Sequence, residues 1–175
     1  MPRPTIEADL LTVSAHTALP SSGITTKSAS TGASGGLIVA NGTDSKASFT
    51  GSTTAYVGAG STIIGSASIS AESATRQNAA AAGSAGGIIA LGANLAKAES
   101  ASTTRAYLGD QVSASGPAMT VAANGTDDNM ASAVAGSGGV VAGSAAVATT
   151  ISNSLTEATT GSGDVTHAIV TDDLT

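Results

Sequence analysis

Gly35-Gly36-Leu37-Ile38 returns as Gly86-Gly87-Ile88-Ile89 and again as Gly138-Gly139-Val140-Val141, about 51 residues apart each time. A second phrase keeps the same step. Thr54-Ala55-Tyr56-Val57-Gly58 recurs as Arg105-Ala106-Tyr107-Leu108-Gly109 and, decayed, as Glu157-Ala158-Thr159-Thr160-Gly161. Two unrelated phrases on one period define an array. In an array each unit buries its apolar face on its neighbours, which favours a solenoid over a globule.

The composition fits a thin interior. The 175 residues include one Phe, two Tyr and no Trp, so the 41% hydrophobic fraction rests on Ala, Val, Ile and Leu. Mean hydropathy is +0.24 and only 10% of residues are charged, unlike a disordered chain. The net charge of −6 is spread singly. With no basic cluster and few aromatics, nucleic acid is not an expected partner. Cysteine is absent, which excludes disulfides and thiolate chemistry. No apolar run approaches the roughly 18 residues of a spanning helix, so membrane insertion is not expected. The N-terminal residues Met1–Asp9 show no secretory signal.

The local pattern is strand-like. Leu11-Thr12-Val13-Ser14-Ala15, Ala67-Ser68-Ile69-Ser70-Ala71 and Met119-Thr120-Val121-Ala122 alternate apolar with small or polar residues. The same alternation turns Ala55 and Val57 inward and Tyr56 outward. In the Ala79–Ala90 stretch, Gly83, Gly86 and Gly87 oppose a helix, each at about 1 kcal/mol relative to Ala, so strand or turn is expected. Asn41-Gly42-Thr43-Asp44 and Asn124-Gly125-Thr126-Asp127 read as turns. Both also fit the glycosylation acceptor pattern. Gly58-Ala59-Gly60, Gly109-Asp110 and Gly161-Ser162-Gly163-Asp164 mark corners.

The repeats align Lys46-Ala47 with Lys97-Ala98, Asn78 with Asn129, and Ile69 with Met119 after a one-residue adjustment. The expected fold is all-β: a parallel β-solenoid (β-helix) of about three 51-residue repeats. Length alone suggests roughly two coils per repeat, with strands about 4.8 Å apart. The whole chain, 1–175, reads as one domain, with a partial repeat at 1–30. Repeats then follow at about 31–81, 82–133 and 134–175, the last incomplete. Neither end carries an evident cap, and head-to-tail stacking would cover both.

The phrases Thr53-Thr54-Ala55-Tyr56-Val57-Gly58-Ala59-Gly60-Ser61-Thr62-Ile63 and Thr104-Arg105-Ala106-Tyr107-Leu108-Gly109-Asp110 resemble repeats of large bacterial leukotoxin-like filamentous adhesins, in the style of filamentous haemagglutinin exoproteins. The Gly-Gly-aliphatic phrase before them and the Val-Ser-Ala or Ile-Ser-Ala strand after them sit where those repeats have them. The resemblance covers roughly residues 5–170. It implies a right-handed parallel β-helix at a bacterial surface or outside the cell, with structural or adhesive duties. The chain departs from that family in its shortness and in showing no signal peptide or secretion domain.

Candidate chemistry is sparse. His16 and His167 suggest a metal pair across a head-to-tail junction, but no third ligand accompanies them, and exposed strand-end histidines are the simpler reading. Asp127-Asp128 and Asp172-Asp173 suggest weak calcium binding, against solvated turn acids. Tyr56 and Tyr107 suggest either carbohydrate stacking or ladder packing. Arg105 aligns with Glu157 as a charge pair between units. No nucleophile elbow, phosphate-binding Lys or recurring acid cluster points to an enzyme, so no catalytic, cofactor or metal residue is assigned. The expected function is a structural or adhesive rod of an extracellular bacterial fibre, with itself as partner and a host-surface or glycan receptor as another. The alternative is a flat Ser/Thr face that binds ice or a glycan, with Thr53-Thr54, Thr103-Thr104 and Thr149-Thr150 as a partial ladder.

Overall fold

The structure, a computed structural model, describes residues 3–161 and the backbone of residues 168–174. Seven strands, β1 (Thr5–Thr17), β2 (Thr26–Val57), β3 (Thr62–Leu108), β4 (Ser113–Gly138), β5 (Val141–Ser152), β6 (Leu155–Thr160) and β7 (Ala168–Leu174), form one open sheet. Every pairing is parallel. No helix occurs among the described residues.

Register carries the repeat into space. Thr26 pairs with Gln77 and Val57 with Leu108, each 51 residues on, without a break in step between them. Ile89 pairs with Val141 and Arg105 with Glu157, 52 residues on. Hydrogen-bonded neighbours are thus a full repeat apart. This corrects the expectation of two coils per repeat, under which partners would stand about half that far apart. The physical reason is side-chain size. Opposed Ala, Ser and Thr let two long arms of one repeat lie close, so a long flat layer still has a filled interior.

Face-to-face contacts trace those arms. Ser45 donates to Ser28 at 2.9 Å across 17 residues, and Ser102 donates to Asp127 across 25. The chain turns back near each Gly-Gly-aliphatic phrase and again near Gly58–Ser61 and Gly109–Val112. The second corners match expectation. They carry positive φ at Gly60 (72°) and Gln111 (57°), and Gly60 N–H donates to the Asp110 carbonyl at 2.8 Å. Gly161 begins the corresponding bend; Ser162-Gly163-Asp164 and His167 lie outside the described residues.

Alternation sorts the interior into zones. Near the second corners sit the larger groups: Val57, Ile63, Ile69, Leu108, Val112 and Met119. Farther along, the filling is all alanine, with Ala47, Ala79, Ala81, Ala96 and Ala98 buried together. Val39, Ala85 and Ala90 close the Gly-Gly end. The Ala79–Ala90 stretch is strand, as expected, and Ala55 and Val57 point inward while Tyr56 is 54% exposed.

Three expectations need correction. Ile69 pairs with Val121 rather than Met119, which pairs with Ala67. Asn129 pairs with Gln77 rather than Asn78. Both follow from one extra residue around Gly116-Pro117, which shifts the offset from 51 to 52 between Ile64 and Ala67. The strand on the other side of β3 carries the same one-residue excess, between Glu7 and Leu10, so both neighbours bulge around Gly65, whose φ is 119°. Thirdly, Asn41-Gly42-Thr43-Asp44 and Asn124-Gly125-Thr126-Asp127 are strand, not turn, and neither glycine has positive φ. Neighbouring repeats satisfy them instead. The Asn41 amide donates to the Ser84 carbonyl at 2.9 Å, and Asn94 Oδ1 accepts from Thr43 Oγ1 at 2.8 Å.

Candidate functional site

Between the aliphatic and alanine zones lies a polar compartment. Register places Thr75 beside Asp127 and Gln77 beside Asn129 on one arm. The opposing arm brings Ser100 beside Ser152, with Ser102 donating to Ser154 at 2.9 Å. Asp127, expected in a solvated turn, is half-buried here. It accepts from Thr75, from Ser102 at 3.2 Å and from Ser152 at 3.3 Å. Burial works to raise its pKa, but hydrogen bonds from Ser154, Thr75, Ser102 and Ser152 outweigh that, and the carboxyl stays below the usual value of 3.8.

The sign of the linkage follows. A lowered folded pKa adds stability that is full above about 3.8 and is lost as pH falls through the folded value. Asp127→Asn is therefore expected to lower the melting temperature near neutrality. The gap to the parent should close in strongly acidic buffer, as read by circular-dichroism melts across pH.

Gln77 is fully buried, and neither its Nε2 nor its Oε1 meets a hydrogen-bond partner among the described residues. An unmet buried polar group costs about 1–3 kcal/mol. Gln77→Leu, of similar volume, is expected to raise stability by about 1 kcal/mol in denaturant titration; a loss would show that the amide is held by contacts of its own.

The charged side chains run along the direction of pairing. Arg105 meets Glu157 at 3.0 Å, as anticipated, and Arg76 meets Asp128 at 2.8 Å. His16 lies 3.5 Å from Glu72, its register partner. The repeat also sets Lys46 directly beside Lys97. Glu99 contacts both at 2.6 Å, and those two hydrogen bonds, from Lys46 first and Lys97 second, lower its pKa. Exposed pairs of this kind add little to stability and mainly fix register.

Tyr56 and Tyr107 stack with centroids 5.2 Å apart and planes within 9°, with the Arg105 guanidinium 5.7 Å from the Tyr107 centroid. One ring thus occupies a face of the other, the arrangement expected of ladder packing. The partial threonine ladder does not assemble as an exposed face: the column that forms, Thr53-Thr104-Thr156, is on the inner side. Thr53 and Thr104 pair with each other but are buried, whereas Thr103 pairs with Leu155 and Thr149 with Lys97. Among the described residues no three His, Cys, Asp or Glu gather as metal ligands, and Asp172 and Asp173 fall in β7, of which the backbone alone is described.

What remains is the sheet's two edges. Among the described residues β1 and β2 each pair on one side only, with β3. On the opposite side β5 and β6 likewise pair only with β3. Both edges present a row of backbone donors and acceptors ready for another parallel strand. The inner rim of the β5–β6 edge is richer in hydroxyls than the layer beneath it. Thr150 stands over Ala98 and Thr160 over Leu108. Such a rim is solvated when open and can hydrogen-bond when covered. No family model, no curated protein and no solved structure matches this chain.

Proposed function

We propose that the chain is a structural or adhesive rod segment of an extracellular bacterial fibre, built as a right-handed parallel β-solenoid whose uncovered edges take on strands of their own kind. The observation that carries this reading is the in-register parallel pairing of repeats, with a strand edge open on each side. A second copy placed on the β5–β6 edge would set its Ser45 over Ala148 and its Ala55 over Ala158, continuing columns that already run through Ala96 and Ala106. Continuous ladders of this kind resist pulling and proteolysis because no strand frays alone. The polar interior argues in the same direction: its hydroxyls and amides lie along the axis, where each added strand can meet them. Electron microscopy of the purified chain should show rods or filaments that lengthen with concentration. Dispersed compact particles at high concentration would overturn end-to-end stacking. The ice- or glycan-binding alternative draws less support, because Thr53 and Thr104 face the interior.

A further inference from the structure

The repeated aliphatic pairs do not enter the core. Leu37 and Ile38 are 73% and 79% exposed, Ile88 and Ile89 are 53% and 37%, and Val140 and Val141 are 85% and 58%. Because Ile38, Ile89 and Val141 pair in register, these side chains form one aliphatic ridge along the Gly-Gly end of the molecule. The flank that descends from the ridge continues the apolar surface through Leu91, Leu95 and Val147, each about half exposed. At those exposures the nine side chains present on the order of 900 Å², close to the roughly 800 Å² that one partner gives to a standard interface and above the usual largest patch of a monomer.

We infer that this ridge and flank form a lateral interface with a second copy of the chain, separate from the sheet edges. Two observations select that occupant. The first is charge: residues 28–43, 78–96 and 129–156 contain no Asp, Glu, Lys or Arg, and Asp44 at the border, then Lys46, Lys97 and Glu99, begin the charged part of the same flank. An acidic or phosphate-bearing partner finds no cation within that stretch and a basic one finds only the bordering Asp44, whereas a similarly uncharged surface loses little charge hydration on contact. The second is relief. Outward columns on the flank alternate large and small: Ala40-Leu91-Gly143, then Gly42-Ala93-Ala145, then Asp44-Leu95-Val147. A shallow groove of about 370 Å³ runs along them, lined by Leu91, Ala93, Gly143 and Ala145 among others. A two-fold axis between the Leu91 and Ala93 columns seats each Leu91 in the other copy's small-residue column and brings each Leu95 against the other ridge at Ile89. Interdigitation of this kind needs a partner with the same interstrand spacing, which another copy has by construction. The two stacks then run parallel with their strands antiparallel, which keeps the two Asp44 carboxylates at opposite edges of the contact, each across from the other copy's Ile38.

Analytical ultracentrifugation of the full chain, from micromolar to millimolar concentration, tests the inference. The parent chain should self-associate. Leu91→Lys, and separately Ala93→Lys to fill the groove, should weaken association at least about tenfold in Kd. Thr50→Lys, on the charged part of the flank, should leave it unchanged. All three positions face outward, so far-UV circular dichroism should match the parent. A parent that stays monomeric throughout overturns the interface, as do Leu91→Lys and Ala93→Lys variants that associate like the parent. Binding of the monomer to phosphatidylcholine vesicles, lost in Leu91→Lys, would also overturn it by making a lipid surface the occupant. Micrographs separate this inference from end-to-end stacking: filaments of single-rod width defeat lateral pairing alone, and dimers without filaments defeat end-to-end stacking alone.

Discussion

Ile69→Asp is expected to unfold the chain, with loss of the β signal in far-UV circular dichroism and binding of a hydrophobic dye. Ile69 has no solvent exposure and pairs in register with Val13 on one side and Val121 on the other. It belongs to the one zone of the interior with large aliphatic groups, beside Val57 and Leu108. No cationic group is available among those neighbours, so the new carboxylate would have to protonate or drag water inward. Either costs several kcal/mol, against a total stability of about 5–15 kcal/mol for an ordinary domain. The alanine zone cannot make up the difference, because each buried methyl contributes only about 0.8 kcal/mol. Thr54→Asp is the control. Thr54 is exposed and pairs with Arg105, so a carboxylate there should be tolerated. If Ile69→Asp melts like the parent, the inward assignment of this column is wrong.

The two glycines of the second and third Gly-Gly phrases should respond differently to substitution. A Cβ at Gly87 would lie 2.3 Å from the Gly36 carbonyl oxygen, and one at Gly139 would lie 2.1 Å from that of Gly87. These are contacts with backbone of the adjacent strand, which cannot swing aside as a side chain would. A Cβ at Gly86 or Gly138 meets nothing within 4 Å. Gly87→Ala and Gly139→Ala should therefore push neighbouring repeats apart at the phrase and cost on the order of 3 kcal/mol, the upper part of the range for overpacking. On a chain of this size that corresponds to a fall of about 10 °C in Tm. Gly86→Ala and Gly138→Ala should change Tm by no more than about 2 °C. Equal responses from both members of a phrase would mean that the repeats do not approach one another there.

Much of the fold was legible in the residues. Identical phrases at one step became register partners, as with Tyr56 and Tyr107 or Arg105 and Glu157. Period-two alternation placed Ala55 and Val57 inside because strand geometry leaves no other choice. The number of windings per repeat was not legible. Length does not reveal how flat a layer can be when its opposed side chains are alanines. Nor was the strand state of Asn41–Asp44, since turn propensity is local and the partners that override it, Ser84 and Asn94, stand a repeat away. Asp127 was misread for a related reason. Its inward position depends on the extra residue at Gly116-Pro117, and the hydroxyls that hold it come from Thr75, Ser102 and Ser152. Nor was the outward position of the aliphatic pairs after each Gly-Gly legible, because it is set by the reversal of the chain there rather than by the local alternation.

The absence of cysteine makes one measurement especially direct. Spin labels attached to Thr54→Cys and Arg105→Cys in one chain report whether residues a full repeat apart are lateral neighbours. Adjacent parallel strands lie about 4.8 Å apart, so the double-labelled protein should show strong dipolar broadening in continuous-wave electron paramagnetic resonance, surviving dilution with unlabelled chain. Narrow spectra, with the two labels separated by more than about 20 Å, would contradict one-repeat register, because that register holds paired residues a single strand spacing apart.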